Sequence, residues 1–320
     1  MLINLHTHLE GRIRPATAAE LAAHAGLPGG KDWRRALQLH KPGDLSVYLE
    51  KVAASYPFFG SVDNLSRISC EAVEDAAADG ADYLELRFGP ATHVRPGMDI
   101  SAVLRAVCAG VAEGTLRSGM PAGVVVAALR HHDWDTNIAV ARAAASQAGA
   151  GVVGFDLAGD ELRYPRIEPY VSTFAVAKAA GLGLTCHAAE AAPAEAARDA
   201  VNLLGVTRVG HGTHIAHDAD TMRWAADTGL IIEICPTSNF FTGAIAHRSQ
   251  HPVNAFREAG IPIVLGDDNP IQTQSTLSQE QRILEHTFGF GPADLQHLDR
   301  TSVRAMFAEE SVKEFLRIRL

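Results

Sequence analysis

The chain has 320 residues, 47% hydrophobic and 20% charged, an ordinary globular composition with material for a large core. Its net charge of −9 argues against nucleic acid or an anionic membrane as the partner, because both select a basic surface. The four cysteines, Cys70, Cys108, Cys186 and Cys235, form no C-x-x-C pair, so a disulfide framework is not expected and a reducing cytoplasm fits.

The chain opens Met1-Leu2-Ile3-Asn4-Leu5-His6, with no basic region and no long apolar stretch, so no signal peptide is expected. No segment approaches the ~18 apolar residues of a membrane span. Eight short apolar runs then recur: Leu2–His8, Tyr83–Phe88, Gly123–Leu129, Val152–Leu157, Leu182–Cys186, Arg208–Gly210, Leu230–Cys235 and Ile261–Leu265. Ala-rich stretches such as Ser61–Gly80, Ile100–Gly119 and Glu168–Gly181 lie between them, with apolar residues three and four apart. Strands apolar on both faces that alternate with helices predict a parallel sheet covered by helices. Eight such units in about 300 residues predict a closed (β/α)8 TIM barrel, with residues 1–320 as a single domain. A doubly wound sheet is the alternative, and the absence of G-x-G-x-x-G after the first run counts against it.

Residues 29–60 break the rhythm after the first β/α unit. Trp33, Leu45, Tyr48, Leu49, Val52, Phe58 and Phe59 predict a helical capping insertion over the barrel mouth, with packing elsewhere as the alternative. Of the basic side chains in and around this segment, Lys41, Lys51, Arg12 and Arg14 are the candidates to meet a phosphate.

Polar residues concentrate where the strands end. The first ends in His6-Thr7-His8, the third runs into Arg130-His131-His132, and the fourth into Asp156-Leu157-Ala158-Gly159-Asp160-Glu161. The fifth gives His187-Ala188-Ala189-Glu190, the sixth Gly210-His211-Gly212, the seventh Cys235-Pro236-Thr237-Ser238-Asn239 and the eighth Gly266-Asp267-Asp268. Barrel active sites form at this end of the strands, and ionisable groups repeated there are hard to explain as core packing. With 15 histidines, roughly one H-x-H is expected by chance, so the pair alone is a weak motif. On a strand, however, His6 and His8 face the same side. Two buried imidazoles are costly unless something binds them, and a divalent metal does. His187 and the carboxylate of Asp267 would complete a three-nitrogen, one-oxygen set that suits zinc. The bland alternative is a satisfied structural histidine pair. The five lysines, Lys31, Lys41, Lys51, Lys178 and Lys313, all lie away from strand ends. A second metal bridged by a modified lysine is therefore not expected, and one Zn2+ per chain is.

Six motifs, His6-Thr7-His8-Leu9-Glu10-Gly11, Asp156-Leu157-Ala158-Gly159-Asp160-Glu161, His187-Ala188-Ala189-Glu190, Gly210-His211-Gly212, Cys235-Pro236-Thr237-Ser238-Asn239 and Asp267-Asp268, in this order and spacing resemble the signature set of the adenosine deaminase family, over essentially the whole chain and including Leu86-Arg87-Phe88-Gly89-Pro90 and the capping segment. No P-C-x-x-C occurs, so the combined H-x-E and P-C-x-x-C signature of the small cytidine-type deaminases is absent. The resemblance implies a zinc hydrolase that removes the 6-amino group of a purine nucleoside, with adenosine first. It implies zinc on His6, His8, His187 and Asp267, Glu190 as proton shuttle to the purine N1, and His211 orienting the attacking water. It further implies Asp268 on the N7 side, the Gly159 backbone N–H at N3, and His8 and Glu10 lining the substrate site. Glu85 and Arg87 are expected as structural partners, and Asp156 and Ser238 either as orienting groups or as ordinary interior pairs. His131, His132 and His214 are expected at the rim, and Cys186 and Cys235 as buried small side chains.

Two departures bear on the substrate. Many adenosine-specific members have Asp where this chain has Glu10. Members usually pass directly from the acidic pair to proline, whereas Asn269 intervenes here before Pro270. The rivals are deaminases of 6-aminodeoxyfutalosine, methylthioadenosine or adenine, an unrelated metal-dependent amidohydrolase, and a catalytically inactive binding barrel.

Overall fold

The computed structural model describes residues 1–27 and 30–320. Eight strands follow one another around the sheet in chain order, every neighbouring pair parallel. They are β1 (Ile3–His8), β2 (Tyr83–Phe88), β3 (Ala122–Leu129), β4 (Val152–Ala158), β5 (Gly183–Ala188), β6 (Arg208–His211), β7 (Ile231–Ile234) and β8 (Ile263–Leu265). The seam between β8 and β1 is joined just past the end of β8. There Asp268 N–H donates to the His6 carbonyl (3.0 Å) and His8 N–H donates to the Asp268 carbonyl (2.7 Å). This is a (β/α)8 barrel, with each expected strand recovered to within two or three residues at its ends.

The outer helices start where side chains satisfy their first free N–H groups. Ser61 accepts from Asn64 N–H at the start of the helix Val62–Ala78, and Asp99 from Ala102 N–H at the start of Ile100–Ser118. These two helices pack closely because Gly110 has no side chain. A Cβ there would lie 2.1 Å from the Ser66 carbonyl oxygen. Among the described residues, no helix is long and apolar enough to cross a membrane.

The barrel interior departs from an apolar filling. Arg208 pairs with Glu85 and with Glu233 (2.7 Å), and Arg87 with Glu233 (2.8 Å) and Asp156 (3.2 Å), all fully buried. Buried charge is tolerable only when paired in this way. The expected structural role of Glu85 and Arg87 is thus part of a larger ionic column. It reaches from Phe307, whose N–H donates to Glu85, up to the imidazoles at the other end.

Gly29, the first residue of the expected 29–60 insertion, lies outside the described residues. The remainder folds into the helices Trp33–Leu37 and Leu45–Ala53 and a 3-10 turn, Tyr56–Phe59. Trp33 meets Phe58 edge-on at 5.1 Å. Leu39 N–H donates to the Gln272 carbonyl (2.8 Å) and Gly43 N–H to the Phe241 carbonyl (3.0 Å), which ties the segment to the loops after β8 and β7.

Candidate active site

A cavity of about 430 Å³ opens at the C-terminal ends of the strands. His8, Glu10, Gly159, His187, Glu190, His211 and Asp268 all line it, together with Asn269 and Thr242. Leu45, Tyr48, Leu49, Val52 and Ala53 of the Leu45–Ala53 helix form one wall. No lysine lines it.

Three imidazoles converge. The Nε2 atoms of His8 and His187 lie 3.2 Å apart, and the His6 ring stands 4.7 Å from that of His187. Their outer nitrogens are held from behind. His6 Nδ1–H donates to Glu233 Oε2 (2.7 Å), and His187 Nδ1 sits 3.0 Å from Asp156 Oδ2. Carboxylates in that position fix the tautomer and turn the Nε2 lone pairs inward. Burial holds the His6 imidazole well below its ordinary pKa and His8 at about 4, so both rings are neutral at pH 7 and have lone pairs to offer a cation. His6 Nε2 is buried with no hydrogen-bond partner, the atom a metal would satisfy. His6, His8 and His187 offer ligand atoms within 4.8 Å of one another. The residues present therefore fit one divalent cation of zinc's preference.

The carboxylate beside them is Asp268, one residue beyond the expected ligand. Asp267 is turned away: both its oxygens contact Arg12 Nη2 (2.7 and 2.5 Å), and Asn4 Nδ2 donates to it (2.9 Å). Asp268 Oδ1 lies 3.3 Å from His8 Nε2 and 3.8 Å from His6 Nε2. Two backbone features produce this. A Cβ on Gly266 would lie 2.5 Å from both Cβ and the carbonyl oxygen of His6, so only glycine lets β8 come this close to β1. Asp268 then adopts a left-handed backbone (φ 57°), as do Ala189 (φ 55°) and His211 (φ 65°) after β5 and on β6. Such conformations cost roughly 1–3 kcal/mol at a non-glycine residue and cluster where a site must aim its side chains. Burial pushes the Asp268 carboxyl up, but the imidazoles of His8 and His211 outweigh it and keep the group ionised. Counted back from Pro270, the pair that precedes the proline is Asp268-Asn269. Asn269 Nδ2 donates to Asp268 Oδ1 (2.7 Å).

Glu190 stands apart from the imidazole cluster in its bonding. Its Oε1 accepts from Asn239 Nδ2 (3.0 Å) and from the Thr242 hydroxyl (2.9 Å). Burial, reinforced by the Asp268 charge, raises its carboxyl to about 8, so it carries a proton at neutral pH. The same Asn239 amide donates to His211 Nδ1 (3.1 Å), which leaves Nε2–H of His211 to point elsewhere. Burial lowers His211 to about 4. Asn239 Oδ1 is in turn held by His251 Nε2 (3.2 Å). A neutral carboxylic acid and a neutral imidazole are therefore locked to one amide.

Several neighbours were missed or underread from the sequence. Glu233 is a lone acid in the apolar run Ile231-Ile232-Glu233-Ile234, and that isolation was the available signal. Tyr48, expected as part of an apolar wall, carries a hydroxyl that donates to Asp268 Oδ2 (2.9 Å), and Ser238 donates to the same oxygen. Glu10 accepts from His93 Nε2 (3.0 Å). The expected basic groups are engaged or remote: Arg14 with Asp75 (2.6 Å) and Lys51 with the Ala36 carbonyl (2.6 Å), while Lys41 is exposed. The arginine that lines the cavity is Arg163, with His131 alongside. Cys186 and Cys235 are buried as expected.

A parallel barrel with imidazoles and a carboxylate at its strand ends, and a protonated glutamate beside them, defines a hydrolase of the amidohydrolase type. The sequence profile described as adenosine deaminase matches residues 2–320, and the chain belongs to the adenosine deaminase family of hydrolytic C–N deaminases. It is 31% identical over 321 residues to an adenosine deaminase of Clostridium perfringens, covering 99% of this chain and 96% of that one. It is 30% identical over 318 residues to an adenine deaminase of Rhizobium leguminosarum bv. trifolii, covering 99% and 98%. Among solved structures, an amidohydrolase from Burkholderia ambifaria with bound Zn superposes with a TM-score of 0.89 at 25% identity, covering 99% and 88%.

Proposed function

We propose that the chain converts adenosine, or a closely related 6-aminopurine nucleoside, and water to the 6-oxopurine and ammonia, with one Zn2+ held by His6, His8, His187 and Asp268. The observation that carries this reading is the buried Glu190 carboxyl, bonded to Asn239 and Thr242 in the same cavity wall as the imidazoles, where burial favours its neutral form. Hydrolysis of an aromatic amidine needs a general acid at the ring nitrogen as water adds to carbon, and Glu190 has that proton at neutral pH. Zinc bound at the four ligands would bring the pKa of a water to about 7.

Glu190 gives its proton to N1 as oxygen adds at C6, and takes one from the attacking water. His211 donates toward the adding oxygen through Nε2–H, its Nδ1 being occupied by Asn239. A proton passes to the 6-amino group, C–N cleavage releases ammonia, and the 6-oxo product keeps hydrogen on N1. Asn269, whose amide has a second N–H beyond the one given to Asp268, takes the N7 side in place of Asp268. Gly159 reaches N3 with its backbone N–H, and Glu10, steadied by His93, accepts from a ribosyl hydroxyl.

The cavity extends beyond a bare purine to the apolar wall of Leu45, Leu49, Val52 and Ala53, which supports a nucleoside over adenine, with residues 29–60 serving as its cap. Arg163 and His131 on the lining make a 5′-phosphate the second reading. The test is kcat/KM for adenosine, AMP, adenine, methylthioadenosine and 6-aminodeoxyfutalosine. A nucleoside is expected to lead. AMP or adenine best by tenfold, about 1.4 kcal/mol in transition-state binding, overturns the assignment.

A further inference from the structure

The Leu45–Ala53 helix is fastened at both ends of the cavity mouth. At one end Ser46 Oγ donates to Asp160 Oδ2 (2.7 Å), in the loop after β4. At the other, two residues further along the helix, Tyr48 reaches Asp268 at the end of β8. The Tyr48 ring is buried in a cluster with Leu39, Val52 and Phe241, so its position follows the helix and the loops packed on it. Its hydroxyl lies 2.9 Å from Asp268 Oδ2 and 3.1 Å from Ser238 Oγ. Asp268 divides its two oxygens accordingly. Oδ1 faces His8 and His6, while Oδ2 is turned toward Tyr48 and Ser238.

A carboxylate ligand is oriented by the donors on its other oxygen, and such partners are worth typically 10–100-fold in metal affinity or activity. Here one of those donors is not part of the barrel. It belongs to the helix that walls the cavity, outside the barrel strands.

We propose that Tyr48 is a positioning residue through which the seating of the Leu45–Ala53 helix sets the orientation of Asp268. The inference rests on the reading of Asp268 as the metal's carboxylate. With the helix seated, Tyr48 and Ser238 together hold Oδ2 and keep Oδ1 toward the imidazoles. With the helix lifted, Ser238 alone remains. The cation is thus held more tightly when the substrate cavity is covered than when it is open, and the cap serves metal retention as well as substrate enclosure.

The experiment uses zinc-loaded protein without substrate and follows release of Zn2+ to a chromophoric chelator. Tyr48→Phe removes the hydroxyl and keeps the ring, so the apolar cluster remains filled. It is expected to speed release about tenfold, with kcat lowered by a similar factor and KM changed less than threefold. Ser46→Ala removes the helix's bond to the loop after β4 without touching Asp268. It is expected to speed release in the wild-type background and to have no further effect in the Tyr48→Phe background. Wild-type release from Tyr48→Phe overturns the role of the hydroxyl, and additive effects of the two substitutions overturn the coupling through the helix. Asp268→Ala separates the two levels. If that variant retains zinc as the wild type does, the underlying ligand assignment fails. If it loses zinc while Tyr48→Phe does not, only the present inference fails.

Discussion

Arg12 holds both carboxylate oxygens of Asp267, and in doing so it removes that residue from the site its neighbour occupies. The pair lies behind the imidazoles. Arg12 also donates through Nε to Thr7 Oγ1 (2.9 Å), on the residue between the two strand histidines. Asp267 and Arg12 thus act as a buckle between β1 and the end of β8, while Asp268 faces the cavity.

Asp267→Ala and Asp268→Ala are therefore expected to differ in kind. The first leaves the Arg12 guanidinium buried and unpaired, and should destabilise the fold by roughly 3–5 kcal/mol while bound zinc is retained at low temperature. The second should lose zinc with a smaller change in stability. Metal content after gel filtration, alongside denaturant midpoints, decides between them.

Glu190→Gln keeps the hydrogen bonds Glu190 makes as an acceptor and removes the proton it moves. Turnover should fall by at least about 10²–10⁴-fold with zinc content unchanged. A variant with more than a tenth of wild-type kcat would sink the role of Glu190 as the proton shuttle.

The raised Glu190 carboxyl also makes a stability prediction for the metal-free protein. In the fold it holds its proton up to about 8, whereas in the unfolded chain it loses it near the ordinary value of about 4.3. Between those values the folded state binds the extra proton, so its contribution is fully present below the lower value and is lost as pH rises through 8. Metal-free wild type should lose stability relative to metal-free Glu190→Gln between pH 5 and pH 8.5. Parallel curves for the two proteins would contradict the raised value.

Asn239 is bonded at once to Glu190, His211 and His251. Asn239→Ala should lower kcat by about 10–100-fold with KM and zinc content nearly unchanged, because it frees the acid and the imidazole together without touching a ligand. Unaltered kcat in a folded, zinc-loaded variant is the outcome that refutes this.

At the other end of the barrel, Arg208 separates Glu85 from Glu233 in full burial. Arg208→Met leaves Glu85 without its cation and Glu233 with Arg87 alone, and should cost roughly 3–5 kcal/mol. It should also disturb zinc binding, since Glu233 is the acceptor for His6. A Tm within 2 °C of the wild type would contradict it.

The strand rhythm and the polar strand ends were enough to read the barrel and to bring His8, His187, Glu190 and His211 into one cavity, with His6 against His187 behind it. What the sequence left undecided is local and geometric. Two adjacent aspartates have the same chemistry, and which one faces the metal depends on the close approach at Gly266 and the left-handed turn at Asp268. Both follow from how β8 meets β1, a contact across more than 250 residues of chain. Tyr48 reads as apolar from its helix, where it is indeed packed with Val52 and Phe241, but its hydroxyl finds a partner from another part of the barrel. The ionic column of Arg87, Arg208, Glu85 and Glu233 was visible only as single charges within apolar runs.

The seam that joins β8 to β1 has a consequence for the order of events during folding. His6 and His8 leave the ribosome some 260 residues before Asp268 does. The contact that completes the ligand set is among the longest-range in the molecule, and contacts of that kind form late because the loop they close must first be organised. Metal capture by the full set is therefore a late event that reports a barrel already joined. A chain arrested before β8 presents three histidines and no carboxylate, a weak and open site. Under the proposed ligand set, a bound cation would latch the finished structure and not seed it.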